Sequence, residues 1–312
     1  MNGILGMTDL ALGSDVNAET RGCLETVKSS AELLLAILND ILDFSKIESR
    51  KLELSFMPFG PREILASVLK PLAVRADQKG LEVIVDVADS VAATLVGDPG
   101  RLQQVLVNLV GNAIKFTEKG HVLVELREEA RANGSLVLHF AVTDTGIGIP
   151  AAKHATIFEA FSQADGSTTR RFGGTGLGLT ISSTLIQMMG GTLRVESAEG
   201  AGATFHLSLP LEVSGEPGER PHHPVPAEVS VLVVDDNEVS RRILAAQLTR
   251  WNMRPVTAAG GAAAIEALRT ASGAGRPFGL VILDANMPEV DGFAVAEWIA
   301  ADGKLPRVPV MM

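Results

Sequence analysis

The sequence predicts a multidomain protein of mixed α+β and α/β class: a helical hairpin of the four-helix-bundle type, an α/β sandwich and a parallel α/β sheet. Three observations carry this. An apolar stripe at helical spacing lies near the start, strand-like runs joined by Gly-rich turns fill the middle, and two near-continuous apolar strands separated by helical patterns follow. The 312 residues are more than one core usually holds, so two or three domains are expected.

Residues 1–54 read as helix, turn, helix. Asn17 stands where an N-cap belongs, with Glu19 in the first turn where the helix dipole favours it. Leu34, Ile37, Leu38, Ile41 and Leu42 then form one stripe. Two helices alone cannot bury it, so pairing with a second copy into a four-helix bundle is expected, with packing onto the downstream domain as the competitor.

Residues 55–212 mix strands and helices. LEVIVDVA (81–88), HVLVEL (121–126), SLVLHFAVTD (135–144), TLRVES (192–197) and TFHLSL (204–209) read as strands. Gly-rich turns between neighbours imply hairpins, hence a largely antiparallel or mixed sheet with helices on one face. Residues 213–227, with GEPGERPHHPVP, keep no periodicity and read as a linker, whose adjacent His222 and His223 could bind metal but are expected to be solvated. In residues 228–312, VSVLVVDD and GLVILD read as buried strands, with helical patterns at Ile243, Leu244, Leu248 and Trp251 and again at 261–269. Such alternation predicts a parallel sheet.

Charge and composition narrow the function. A net charge of -10 argues against a broad nucleic-acid-binding face. A single cysteine, Cys23, excludes an internal disulfide framework and fits a reducing compartment. The richest apolar run, LLLAIL at 33–38, is broken by Asn39 and Asp40, so no membrane span is expected, and no signal peptide is visible.

Three stretches point to a nucleotide. In RLQQVLVNLVGNAIKFT (101–117), Leu102, Val105, Leu106, Leu109, Ala113 and Phe116 share one side of a helix, and Arg101, Gln104, Asn108, Asn112 and Lys115 share the other. A solvated face would favour Glu and Lys over Asn. Stacked amides beside a lysine suit a metal–phosphate group instead: amide oxygen for Mg²⁺, ammonium for phosphate. In FAVTDTGIGIP, Asp144 continues the buried parity of Leu136, Leu138, Phe140 and Val142 and therefore needs a donor, which an adenine amine would supply. Gly146 and Gly148 would let the backbone approach a ligand. In RRFGGTGLGL (170–179), a glycine loop leads into a helix N-terminus, an anion site.

The order of these stretches resembles the ATP-binding domain of sensor histidine kinases, a branch of the gyrase/Hsp90/histidine kinase/MutL superfamily. The resemblance covers 55–212. It implies ATP as cofactor, Asn112 as Mg²⁺ ligand with Asn108 and Lys115 one turn to either side, and Asp144 as the adenine-binding residue beside Gly146 and Gly148. It further implies Phe158 and Phe161 as the phenylalanine pair flanking the ATP lid, Gly174, Gly176 and Gly178 as lid glycines, and Thr204 as a second adenine-side contact. Hydrolysing members carry a Glu where Asn108 stands. An amide cannot deprotonate water, which favours phosphoryl transfer to protein over ATP hydrolysis.

A second phosphate site is legible downstream. Asp235 and Asp236 end one predicted strand and Asp284 another, and three carboxylates at strand ends repel unless a cation such as Mg²⁺ joins them. VVDDNE with LDANMPEVDGF resembles a response-regulator receiver of flavodoxin-like fold. That implies Asp284 as phosphoacceptor, Asp235 and Asp236 as the Mg²⁺ pocket, Asn286 as a backbone-carbonyl ligand, and Met287, Pro288 and Gly292 as the following turn. The family also has a Thr or Ser after its fourth strand and a Lys after its fifth; the resemblance places VPVMM within that fourth strand, so both positions fall beyond it.

Together the resemblances imply the core of a hybrid sensor histidine kinase in a two-component phosphorelay: homodimer through the hairpin, phosphate passed from a histidine to Asp284, and onward to a phosphotransfer domain or response regulator. A catalytically incomplete nucleotide-binding or scaffolding fragment, or a gyrase- or chaperone-type ATPase, are the alternatives. The histidines are His121, His139, His154, His206, His222 and His223, none in the hairpin. The family's first helix reads H-E-x-R-T-P-M-N-G-I-L-G-M and this sequence starts at MNGILGM, so the resemblance expects the acceptor six residues before Met1 and no self-phosphorylation by these residues alone. It also implies a cytoplasmic portion, with any inner-membrane anchor further upstream.

Overall fold

The computed structural model describes residues 1–132, 134–162, 176–214, 229–302 and 307–312. The chain divides into two compact units, Met1–Gly218 and Glu219–Met312. The predicted linker falls almost wholly outside the described residues, as do His222, His223, Arg170, Arg171 and Gly174.

The first unit begins with α1 (Asn2–Leu12) and α2 (Ala18–Glu48). Asn17 caps α2 as expected, its side chain accepting from the Thr20 amide at 2.8 Å. Lys28 of α2 pairs with Asp9 of α1 at 2.7 Å on the exposed surface of the hairpin. Leu34, Leu38, Ile41 and Leu42 are all exposed, and Ile37 half-buried. Further along α2, Phe44 and Ile47 pack against the core of the following sheet. The C-terminal end of α2 thus takes the competing arrangement, docked on the downstream domain, while the stripe stays exposed.

The mixed sheet contains β1 (Met57–Phe59), β2 (Leu81–Val87), β3 (Leu95–Gly97), β4 (Gly120–Ala132), β5 (Ser135–Asp144), β6 (Thr192–Ser197) and β7 (Ala203–Val213). Its order is β1-β3-β7-β5-β4-β2, with β6 also pairing β7. Only β2 and β4 run parallel; every other recorded pair is antiparallel. Helices α3 (Pro61–Asp77), α4 (Pro99–Phe116) and α5 (Gly178–Met188) cover one face and share its core with Leu136, Leu138, Phe140 and Val142. Helix α3 is not among the elements that the sequence predicts. Pro71 lies inside it and breaks the usual sequence signature of a helix, while Ile64, Leu65, Val68, Leu69 and Leu72 bury one side and hold it in place.

Helix α4 starts at a firm cap. Asp98, 6% exposed, accepts from the Arg101 amide at 3.0 Å and the Ser55 amide at 2.9 Å. Leu102, Val105, Leu106, Leu109, Val110, Ala113 and Ile114 are buried, so the opposite stripe of Asn108, Asn112 and Lys115 has its direction fixed by packing.

The second unit is a parallel sheet ordered β11-β10-β8-β9: β8 (Ser230–Val234), β9 (Arg254–Ala258), β10 (Leu280–Leu283) and β11 (Val310–Met311). Helices α6 (Glu238–Arg250), α7 (Gly261–Gly273) and α8 (Gly292–Ala301) connect the strands. Val231 and Val233 face one side of β8, Leu232 and Val234 the other, and both sides are buried. That is why this strand reads as an unbroken apolar run. No described helix is long and apolar enough to cross a membrane.

Candidate nucleotide and phosphoacceptor sites

In the first unit, Asp144 ends β5 on the helix-covered face and is 6% exposed. Its Oδ1 accepts from the Gly146 amide at 2.8 Å. Burial pushes its pKa up, while bonds from the Gly146 and Ala203 amides pull the other way. The two motif glycines have a structural cause beyond ligand approach. A Cβ on Gly146 would stand 2.4 Å from the Phe116 carbonyl oxygen, and one on Gly148 (φ +68°) 2.0 Å from that of Ala198. The loop is therefore clamped between the end of α4 and the β6–β7 turn.

The amides of α4 form a linked pair. Asn112 donates to Asn108 Oδ1 at 3.2 Å, and Asn108 donates to the Ser182 hydroxyl at 2.9 Å. With its nitrogen engaged, Asn112 has its carbonyl oxygen as the atom suited to a hard cation. Lys115 is partly buried, and desolvation lowers its pKa. Gly178 opens α5 directly against this pair: a Cβ there would lie 2.5 Å from Asn108 Oδ1. The positive end of α5 thus starts beside the α4 amides, as an anion site requires.

Two residues lay outside the sequence reading. Ser182 lies inside α5 with no sequence feature that marks it. Lys79 places its ammonium on the carbonyls of Ile114 (2.7 Å), Lys115 (3.1 Å) and Thr117 (3.3 Å), where a cation offsets the negative end of α4. No local pattern marks it, because its partners are 35 or more residues away.

The lid-flanking pair separates. Phe158 packs against the core. Phe161 has φ 60°, donates its amide to the Gly176 carbonyl at 3.1 Å, and sets its ring edge-on to Phe44 of α2, centroids 5.9 Å apart. Asp43, next to Phe44, accepts from Arg101 (3.1 Å) and Gln104 (2.9 Å) of α4. Thr204 must be corrected. In the β5–β7 register Asp144 faces Ala203, whereas Thr204 faces Thr143, and their hydroxyls bond at 3.0 Å on the other face of the sheet. Directly opposed residues share a face and successive ones alternate, so the Thr204 side chain does not join Asp144.

In the second unit Asp235, Asp236 and Asp284 gather at the carboxyl ends of β8 and β10, with ligand oxygens within 4.8 Å of one another. Asp235 is buried. Its carboxylate accepts from the Asn237 amide at 2.7 Å and from the Ser240 hydroxyl. Burial, aided by the charges of Asp284 and Asp236, raises its pKa against those bonds. An all-oxygen cluster of this kind fits a hard divalent cation. The Asn286 amide reaches Asp284 Oδ1 at 3.3 Å, and a Cβ on Gly292 would stand 2.2 Å from the Asp284 carbonyl oxygen. Met287 is buried beneath the turn.

One unit has the mixed sheet and buried strand-end aspartate of a histidine-kinase-type ATP-binding domain, and the other has the parallel sheet and three strand-end carboxylates of a receiver. Residues 1–50 match the His Kinase A (phospho-acceptor) domain, 97–213 the histidine kinase-, DNA gyrase B-, and HSP90-like ATPase, and 231–312 the response regulator receiver domain. The chain belongs to the hybrid histidine kinases. It is 44% identical over 213 residues to the signal transduction histidine-protein kinase BarA of Escherichia coli K12, covering 68% of this chain and 23% of that protein. It is 43% identical over 248 residues to the sensor histidine kinase GacS of Pseudomonas protegens (80% and 27%). With the sensory/regulatory protein RpfC of Xanthomonas campestris pv. campestris it shares 34% identity over 323 residues (94% and 44%). The chain thus spans less than half the length of these curated relatives. Among solved structures, full-length ShkA in complex with AMPPNP superposes with a TM-score of 0.71 at 33% identity, covering 92% of this chain and 58% of that one.

Proposed function

We propose that this chain is the ATP-dependent core of a protein histidine kinase in a two-component phosphorelay, and that phosphate passes from a histidine to Asp284. One observation carries the reading: a buried acceptor at Asp144 beside the Asn108–Asn112–Lys115 stripe, and a three-carboxylate cluster at Asp284, occur in one chain.

Asp144 would accept the adenine amine, its carboxylate held in place by the Gly146 amide. Asn112 would hold Mg²⁺ through its carbonyl oxygen, and Lys115 would meet the phosphates. The backbone at Gly176 and Gly178, entering α5, would cradle the phosphate chain. Bound Mg²⁺ would offset charge on the phosphoryl group. Positioning and electrostatics then carry the transfer. Asn108 has no proton-accepting carboxylate, and its amide is committed to Ser182 and Asn112, which weighs against the hydrolytic alternative.

In the receiver, Asp235, Asp236 and the Asn286 carbonyl would hold a second Mg²⁺ beside Asp284. The exposed stripe of α2 would pair with a second copy, and a downstream phosphotransfer domain or response regulator would take the phosphate. The test is ATP·Mg²⁺ titration of wild type, Asp144→Asn and Asn112→Asp, with transfer from a labelled phosphohistidine donor to wild type and Asp284→Asn. Loss of nucleotide binding in both site variants, and of label in the last, is expected. Unchanged affinity in both would overturn the nucleotide site, and labelled Asp284→Asn would overturn the acceptor.

A further inference from the structure

The sheet face opposite Asp144 carries a group that the nucleotide site does not use. His139 of β5 and His206 of β7 are diagonal neighbours there, with Nε2 of His139 3.2 Å from Nδ1 of His206. Their rings lie within 10° of parallel, centroids 5.3 Å apart. The side chains are only 14% and 15% exposed. The outer nitrogens both face carboxylates: His139 Nδ1 lies 3.5 Å from Glu129, and His206 Nε2 lies 3.7 Å from Glu196. His206 Nε2 is buried, yet beyond hydrogen-bond reach of any group among the described residues.

Counting protons shows what this arrangement lacks. Two neutral imidazoles carry two protons on four nitrogens. If one proton fills the gap between the rings, only one outer nitrogen is protonated. The other then turns a bare lone pair toward a glutamate. With both rings neutral, a metal ion in the gap removes the conflict, because both protons can then sit on the outer nitrogens and face Glu129 and Glu196.

We propose that His139 Nε2 and His206 Nδ1 bind a divalent transition-metal ion of the Zn²⁺ class, with water completing its coordination. Metal–nitrogen bonds of about 2.0–2.1 Å at tetrahedral angles separate two ligand nitrogens by roughly 3.3 Å, close to the gap found. A ligating imidazole that donates its second N–H to a carboxylate is the usual outer arrangement at such sites. Three further features hold the carboxylates there. Glu129 sits at the β4 irregularity between Glu128 and Ala130, where an extra residue re-aims a side chain. The Ser208 hydroxyl contacts its other oxygen at 3.4 Å. Arg194 of β6 pairs with the second oxygen of Glu196. Burial, with Arg194 and His139 nearby, holds the His206 pKa down against Glu196 and Glu125.

The test is titration of the full chain with Zn²⁺ in excess Mg²⁺, on a His222→Gln, His223→Gln, Asp236→Asn background that removes competing donors for Zn²⁺. One saturable site is expected, weakened at least tenfold by His139→Gln or His206→Gln and severalfold by Glu129→Gln, which leaves both ligands intact. Ring-nitrogen NMR should show His139 Nε2 and His206 Nδ1 shifting on Zn²⁺ addition while the outer nitrogens stay protonated. Zn²⁺ uptake indifferent to all three substitutions, or ring nitrogens that respond to pH alone and not to Zn²⁺, would overturn the proposal.

Discussion

The Asn108 amide nitrogen donates a 2.9 Å hydrogen bond to the Ser182 hydroxyl, joining the middle of α4 to the second turn of α5. Gly178 is pressed against the same side chain. Asn108 therefore supports Asn112 from behind and fixes where the glycine loop enters α5. A neutral hydrogen bond of this kind contributes about 0.5–1.5 kcal/mol net. In a double-mutant cycle, Asn108→Ala and Ser182→Ala should be coupled by about that amount in ATP affinity. Additive effects would show that the two helices are positioned independently.

Asp144 couples function to stability with opposite signs. Its pKa in the folded protein is raised by burial. Its contribution is thus fully present below its unfolded value, about 3.9, and is lost as pH rises through the folded value. Asp144→Asn keeps an acceptor for the Gly146 amide and removes the buried charge. The variant should gain on wild type as pH rises through that window, and be at least as stable at pH 7. ATP affinity should fall tenfold or more, since a hydrogen bond to a charged group contributes about 1.5–3 kcal/mol. Denaturant unfolding from pH 3 to 8 beside ATP titration checks both; a variant less stable at pH 7 would contradict the burial argument.

Gly200 and Gly202 share φ +78° but differ in their surroundings. A Cβ on Gly200 meets nothing within 4 Å, whereas one on Gly202 would lie 1.9 Å from the Asp144 carbonyl oxygen. Gly200→Ala should cost only the left-handed backbone penalty, about 1–2 kcal/mol. Gly202→Ala should cost clearly more, displace Asp144 and weaken ATP binding as well. Equal melting temperatures for the two variants would show that the turn relaxes freely.

Much of this was legible because one-sided burial leaves a period in the sequence. The β5 strand was read with its observed ends, and its alternation placed Asp144 on the covered face. The α4 stripe was read from spacing, and the receiver acids from their position after apolar runs. Failures came where the deciding contact is long-range. Thr204 was one residue off because strand parity depends on register with β5, which its own sequence does not specify. Lys79 and Ser182 act across the fold on α4, and the His139–His206 contact spans 67 residues between strands of different hairpins. Helix α3 hid behind Pro71.

The exposed stripe of α2 and its docked C-terminal end let the proposed dimerisation be tested apart from nucleotide binding along one helix. Leu38 and Ile41 are 42% and 49% exposed, whereas Phe44 and Ile47 pack against the sandwich core. Burying one large aliphatic side chain contributes about 1.5–3 kcal/mol, and a symmetric pair of stripes doubles the count. Leu38→Glu with Ile41→Glu should therefore convert a dimer to monomer in light scattering while leaving ATP affinity unchanged. Phe44→Ala should do the reverse: keep the oligomeric state, remove the edge-on contact with Phe161, and alter nucleotide binding through the Gly176 backbone that Phe161 holds. If the glutamate pair leaves the mass unchanged, the exposed stripe is not the surface through which two copies join.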